Sequence, residues 1–331
     1  MGTALKLVIS SAFMMGLALI VSLITNFAGL FPDDVFTAQV RSDLTILFLA
    51  IMMTVSLSRI PSRNLSPAKN PRDLIRGMLI GLVIAGIIPI VGFLILKDTA
   101  HHDYAVGLVF VAATPFAASV APLSFILRGD MEHAARSTVY VYAAALLWIP
   151  FIIYVLLGKS VDMTELVKNV IYIIGVPLIV SRFITWVKID KNVMAVVLNC
   201  FIFFLVWMSV SPADFAGAGA GIMIAFMLIV AMRTFGLGGA VAVAEKRMGI
   251  GWSQRVTDVL MMSYKNKGIA IALCMATMMP LGPQYANMAM VAIASSIVIE
   301  ICWVVFMDSV LFSRKRMKRE LGKEGPEAGG L

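Results

Sequence analysis

The sequence predicts an all-α integral membrane protein, and three observations carry that reading. Of its 331 residues 60% are hydrophobic and 14% charged, with a mean hydropathy of +0.93. A soluble domain carries about 25% charged residues. Apolar runs long enough to cross a hydrocarbon layer ~30 Å thick recur along the whole chain. Deep in one of them, within Met261-Met262-Ser263-Tyr264-Lys265-Asn266-Lys267-Gly268, sits a lysine that hydrocarbon cannot solvate.

The apolar runs lie near 5–30, 42–58, 76–96, 105–127, 134–157, 165–187, 192–211, 217–244, 256–279 and 286–313, which predicts ten spans. The first has Lys6 as its only charge and no small-residue cleavage pattern, so it reads as a retained span, not a signal peptide. The run at 42–58 is the shortest. The fourth is interrupted at Thr114-Pro115-Phe116-Ala117-Ala118-Ser119-Val120-Ala121-Pro122. Each proline there removes a backbone donor and disfavours helix at the residue before it. The ninth is interrupted between Ser263 and Gly268. Broken helices inside a membrane are tolerated where they line a cavity, and two in corresponding positions point to a transporter's central site.

Ten spans divide into five plus five, and an odd number per half inverts the second half relative to the first. The expected organisation is a first five-helix repeat over 1–158, an inverted repeat over 159–316 and a disordered cytoplasmic tail over 317–331, which is rich in glycine (Gly322, Gly325, Gly329) and holds Pro326. Bases gather in alternate loops (Arg59, Arg63, Lys69, Arg72 and Arg76; Lys188 and Lys191; Lys246, Arg247 and Arg255) and at the C-terminus from Arg314 to Lys323. The opposite loops hold Asp33, Asp34, Asp98, Asp103, Asp162 and Asp214. The positive-inside rule then puts both termini in the cytoplasm, for a protein of the plasma (inner) membrane. The net charge of +8 follows from these clusters, which meet the lipid bilayer and its anionic headgroups, so no nucleic-acid partner is expected.

Cys200, Cys274 and Cys302 fall in apolar runs without metal-ligand spacing and read as small buried hydrophobes, with no metal site. His101-His102-Asp103 reads as a solvated loop. No nucleophile–base pair or phosphate loop is visible, so neither enzyme activity nor a cofactor is expected.

The candidate site is built from costly polar groups within spans. Lys265 is the prime coupling residue: three ammonium donors can satisfy three unwound carbonyls, and a buried lysine can exchange its proton. Arg233 in the eighth run is the candidate holder of an anionic substrate, with an internal ion pair to Glu300 as the competing reading. Glu300, in the tenth, suits a proton relay or a counter-ion for Arg233, Lys265 or Lys267. Asn266, Ser119, Thr114 and Lys267 are further substrate candidates; Thr138 and Ser263 join the coupling set, although Ser and Thr within spans often bond their own helix. Arg136 reads as reaching toward the membrane surface.

In its ten-span order and in two blocks the chain resembles the bile acid:sodium symporter family. One block runs from Ala113-Thr114-Pro115 to Arg128-Gly129-Asp130, similar to the family's proline-led crossover segment; the other is Lys265-Asn266-Lys267-Gly268-Ile269-Ala270, similar to its Gln-Asn-x-Gly-Leu-Ala signature. The resemblance implies a panel (spans 1, 2, 6 and 7), a core (spans 3–5 and 8–10), and spans 4 and 9 crossing at their broken centres. It also implies sodium-driven uptake of organic anions. Carried over residue by residue, the family's sodium-liganding glutamate falls on Met261 and its glutamine on Lys265. The Ser-Asn pair falls on Val120 and Ala121, the span-three glutamine on Ile84, and the two span-five hydroxyls on Ala134 and the retained Thr138. The expected function is therefore alternating-access transport of a small organic anion, sodium-independent, with Lys265 standing in for sodium and protons as the coupling ion or none. The alternatives are sodium-coupled organic anion symport, a non-transporting membrane sensor, and metalloid or oxyanion efflux. The last is disfavoured because the related arsenite permeases have a reactive cysteine where Pro115 to Ala118 has none.

Overall fold

The computed structural model describes residues 8, 10–60, 71–158, 161–185 and 190–324. Lys6, Arg63, Lys69 and Lys188 lie outside these residues, as do Gly325, Pro326 and Gly329.

Among the described residues the chain is helical throughout, and the one β-type pairing is an isolated bridge. The helices are α1 (Ser11–Phe27), α2 (Ala38–Ser58), α3 (Pro71–Leu96), α4 (His102–Ala113), α5 (Val120–Ile126), α6 (Met131–Leu157) and α7 (Met163–Phe183). There follow α8 (Lys191–Val210), α9 (Phe215–Arg247), α10 (Trp252–Ser263), α11 (Lys267–Met278), α12 (Pro283–Leu311) and α13 (Arg314–Glu324). Seven of them are long and apolar enough to cross a membrane singly: α2, α3, α6, α7, α8, α9 and α12. The fourth and ninth apolar runs are each divided, into α4 and α5 and into α10 and α11. No half of either reaches the ~20 residues that a span needs alone.

Caps set the boundaries. Asp130, Asp162, Asp190 and Asp214 each accept a backbone N–H in the first turn of α6, α7, α8 and α9. That satisfies donors which would otherwise be orphaned at a helix start. The four helices that the resemblance assigns to a panel pack in the order α1–α8–α2–α7, and α11 lies against α2. The buried core runs through α4, α10, α11 and α12, whose residues are almost wholly inaccessible over long stretches. Its tightest approach is at Gly107: a Cβ there would sit 2.0 Å from the Ala289 carbonyl oxygen.

Two expectations are corrected. Residues 314–324 continue as helix α13 where disorder is expected from 317. The physical reason is Glu320, which pairs with Lys246 at the end of α9 and with Arg255 on α10, clamping α13 under both. Cys302 is exposed on α12 and Cys200 only half-buried, and Cys274 alone of the three is buried.

Burial acts to raise the Glu320 carboxyl, but Lys246 and Arg255 outweigh it and hold it below its ordinary value. A group lowered in this way stabilises docking fully above its unfolded pKa, about 4.3, and loses that contribution as pH falls through the folded value. Hydrogen-exchange protection of 314–324 should therefore stay level down to about pH 4.3 and collapse below it, and Glu320→Gln should lose it at neutral pH. Separately, Gly107→Val forces α4 from α12 and should cost about 1–3 kcal/mol or more, read as a lower unfolding temperature in detergent.

Candidate functional site

The breaks in the two divided helices meet. Thr114 is extended (ψ 149°) ahead of Pro115, which has no N–H, so α4 stops there. In the other strand Asn266 is likewise extended and restarts the helix by accepting the Ile269 N–H on Oδ1 at 3.0 Å. Between them the backbones pair antiparallel at Phe116 and Lys265. The Ala117 N–H donates to Tyr264 O (2.7 Å) and the Asn266 N–H to Pro115 O (2.9 Å). Gly81 on α3 makes room for this bridge, since a Cβ there would meet the Phe116 ring at 2.5 Å.

Lys265 is 1% exposed, and its Nζ donates to three backbone carbonyls: Thr114 O at 2.6 Å, Gly81 O at 3.1 Å and Ala112 O at 3.2 Å. These come from the break, from a π-helical stretch of α3 (Leu79–Ile84) and from the last turn of α4. An ammonium has three donors, so this arrangement uses all of them. The positions onto which the family's sodium ligands fall, Met261, Val120, Ala121 and Ala134, are buried and offer no side-chain oxygen. The retained Thr138 hydroxyl donates to Ala134 O of its own helix (2.7 Å), and Ser263 does the same to Val259 O (2.6 Å).

Behind the bridge lies a buried triad. Arg233 is wholly buried in a π-helical stretch of α9 (Met232–Leu237), donates Nη1 to Ser263 O at 2.9 Å and pairs through Nη2 with Glu300. Lys267 Nζ lies 2.7 Å from the same Glu300 oxygen. Arg233 and Lys267, both expected as substrate groups, lie against Glu300, the pairing that the sequence offered as the competing reading for Arg233. An unpaired charge at this depth is prohibitive, and the one buried carboxylate within reach takes both. Three basic side chains, Arg233, Lys265 and Lys267, and one acidic one, Glu300, thus lie around the crossover.

Asn266 stays at the edge, 8% exposed, with Nδ2 donating to the Tyr142 hydroxyl (2.7 Å), which in turn donates to Phe116 O (2.8 Å). Ser119 is half-buried and within hydrogen-bond reach of the Tyr264 hydroxyl. The Thr114 side chain only bonds Val111 O of its own helix, at 3.1 Å. Tyr142 is the site residue that sequence reasoning misses. Its signal is its place one turn after Thr138 on α6, on the face turned to the crossover.

A helical membrane protein whose interrupted helices meet at their breaks, ringed by buried charge, has the architecture of a membrane transporter. The chain belongs to the Sodium Bile acid symporter family, whose model matches residues 44–232. No curated protein matches the chain. The matched stretch includes the α4–α5 break and ends one residue before Arg233, so Lys265, Lys267 and Glu300 lie beyond it.

Glu300→Gln should leave two buried cations without a counter-charge and cost about 3–5 kcal/mol in chemical denaturation. Adding Lys267→Met to that variant should recover part of the loss, because the side-chain amide oxygen left at position 300 still accepts from Arg233.

Proposed function

We propose that this protein is a sodium-independent secondary transporter of a small organic anion, with ten membrane passages when α4–α5 and α10–α11 each count as one. The two halves are inverted repeats, both termini are cytoplasmic, and transport goes by alternating access. Lys265 replaces sodium as a fixed internal cation. The observation that carries this reading is the Lys265 ammonium on three backbone carbonyls at the crossover. Unwound carbonyls and helix ends concentrate partial negative charge there, the work that a bound cation does in a broken-helix transporter. The geometry favours a fixed cation over a proton carrier. A neutral amine would turn its lone pair toward one of three carbonyl oxygens and lose a donor.

The anion preference rests on the excess of cations at the crossover. Ser119, half-buried at the crossover, and Asn266 beside it are the groups that contact substrate, while Arg233, Lys267 and Glu300 set the field behind them. Coupling to protons or none is the corollary of Lys265 standing where sodium would.

The test is the unfolding temperature in detergent against sodium concentration, with choline holding ionic strength constant. A ligand binding only the folded state adds about 2.7 kcal/mol at one hundred times its dissociation constant. The expected wild-type response is flat, with Lys265→Ala markedly destabilised because three buried carbonyls lose their donor. A saturable, sodium-specific rise in the wild type overturns the reading and restores sodium-coupled symport.

A further inference from the structure

A second buried charge cluster lies away from the crossover, where α3, α6, α9 and α10 come together. Asp258 of α10 is wholly buried, and one of its oxygens sits 2.7 Å from Arg76 Nη2 of α3. Glu245 of α9, also buried, pairs with that same nitrogen. Two carboxylates therefore share one guanidinium N–H group. The other Asp258 oxygen lies 3.5 Å from Nε2 of the His133 ring on α6, and Glu245 stands close to the same carboxylate. The opposite ring nitrogen, Nδ1, faces Asp73 of α3 at 3.7 Å.

His133 is 1% exposed, its Nε2 has no hydrogen-bond partner, and both its nitrogens point at carboxylates. A neutral imidazole has one N–H and one lone pair, so it can donate toward only one of the two carboxylates, its other nitrogen accepting at most from a hydroxyl such as that of Ser137. An imidazolium has two N–H groups and suits both. Around the ring, the Ser137 hydroxyl lies 3.4 Å from Nδ1 and Asp130 accepts the His133 backbone N–H. Glu132 is half-buried beside it. Arg136, one turn along α6, opposes these acids: it is buried and not reaching to the membrane surface, with Nε and Nη1 unpartnered. Acids thus dominate what faces the ring. Asp73 and Arg76, with side chains 17% and 28% exposed, form the partly accessible rim of the cluster.

We propose that His133, clamped between Asp258 and Asp73, is a proton-binding site whose charge sets the tie between α6 and α10. Proton binding there stands on this geometry alone. Its use as the coupling proton rests on the transporter reading above. The chemistry fits that use: Asp258 lies seven residues before Lys265 on the helix leading into the crossover, so loss of the proton loosens α6 from the element that carries the site.

The experiment is solid-state nitrogen NMR of the full chain in lipid bilayers, labelled at its histidines. There are only three, His101, His102 and His133, and His133→Gln identifies its own signals by their loss. At pH 6 the expected wild-type ring is protonated on both nitrogens. In Asp258→Asn the ratio of doubly to singly protonated ring falls about tenfold or more, the effect of removing an adjacent buried charge. Should that variant fail to fold, Asp73→Asn at the rim gives a fall in the same direction. A singly protonated wild-type ring, or a ratio unchanged in the variant, overturns the proposal. The sodium melting response is independent of either result, so failure of this site and failure of the transport reading are told apart.

Discussion

The fold turns on a backbone problem. Breaking two helices in the interior frees carbonyls that neither water nor a helix ladder can satisfy. Two such oxygens, of Ala112 and Thr114, converge with that of Gly81 from the π-helical stretch of α3, and the Lys265 side-chain nitrogen is what the three share. The antiparallel bridge at Phe116 and Lys265 pins the two chains so that the convergence occurs, and Gly81 lets α3 bring its carbonyl close enough to join. Without the cation these oxygens would be three buried acceptors in a low-dielectric interior. Without the breaks the cation would have nothing to bind.

The remaining buried charges obey the same rule on a larger scale. Arg233 and Lys267 both pair with Glu300, and Arg76, His133, Asp258 and Glu245 gather into a second group. A polar side chain in an apolar body goes where its partners are, and the helices are held in the register that brings them together. Asn266 joins the two schemes: it caps α11, donates to Tyr142 and belongs by its backbone to the bridge.

The sequence makes the breaks legible, because Pro115 and the polar run Ser263 to Gly268 stand out against apolar surroundings, and it makes Lys265 legible as an anomaly. It marks Arg233 and Glu300 as partners without deciding between a pair and separate roles. That choice depends on how α9 and α12 face each other, a distance across 67 residues that no local pattern encodes. Tyr142 and the His133 group are less visible for a related reason. His133, Arg76 and Glu245 each sit near a helix end, where a charge is unremarkable, Tyr142 reads as one more apolar-run aromatic, and only the packing of the helices reveals what they face. The helix α13 is hidden by composition: Glu320 reads as one charge among many until Lys246 and Arg255 are seen beside it.

A cation attached to the chain differs from a dissolved one in what it can exchange with its surroundings. Lys265 is present at the crossover whatever the salt outside, so the carbonyls around it are filled at the same level in dilute and in concentrated media. For the same reason it can never be delivered to either side. A charge that does not leave its site extracts no work from a gradient. If this molecule works against a gradient, the drive must therefore enter through a group that is free to gain and lose its ligand, somewhere other than the point that holds the crossover together.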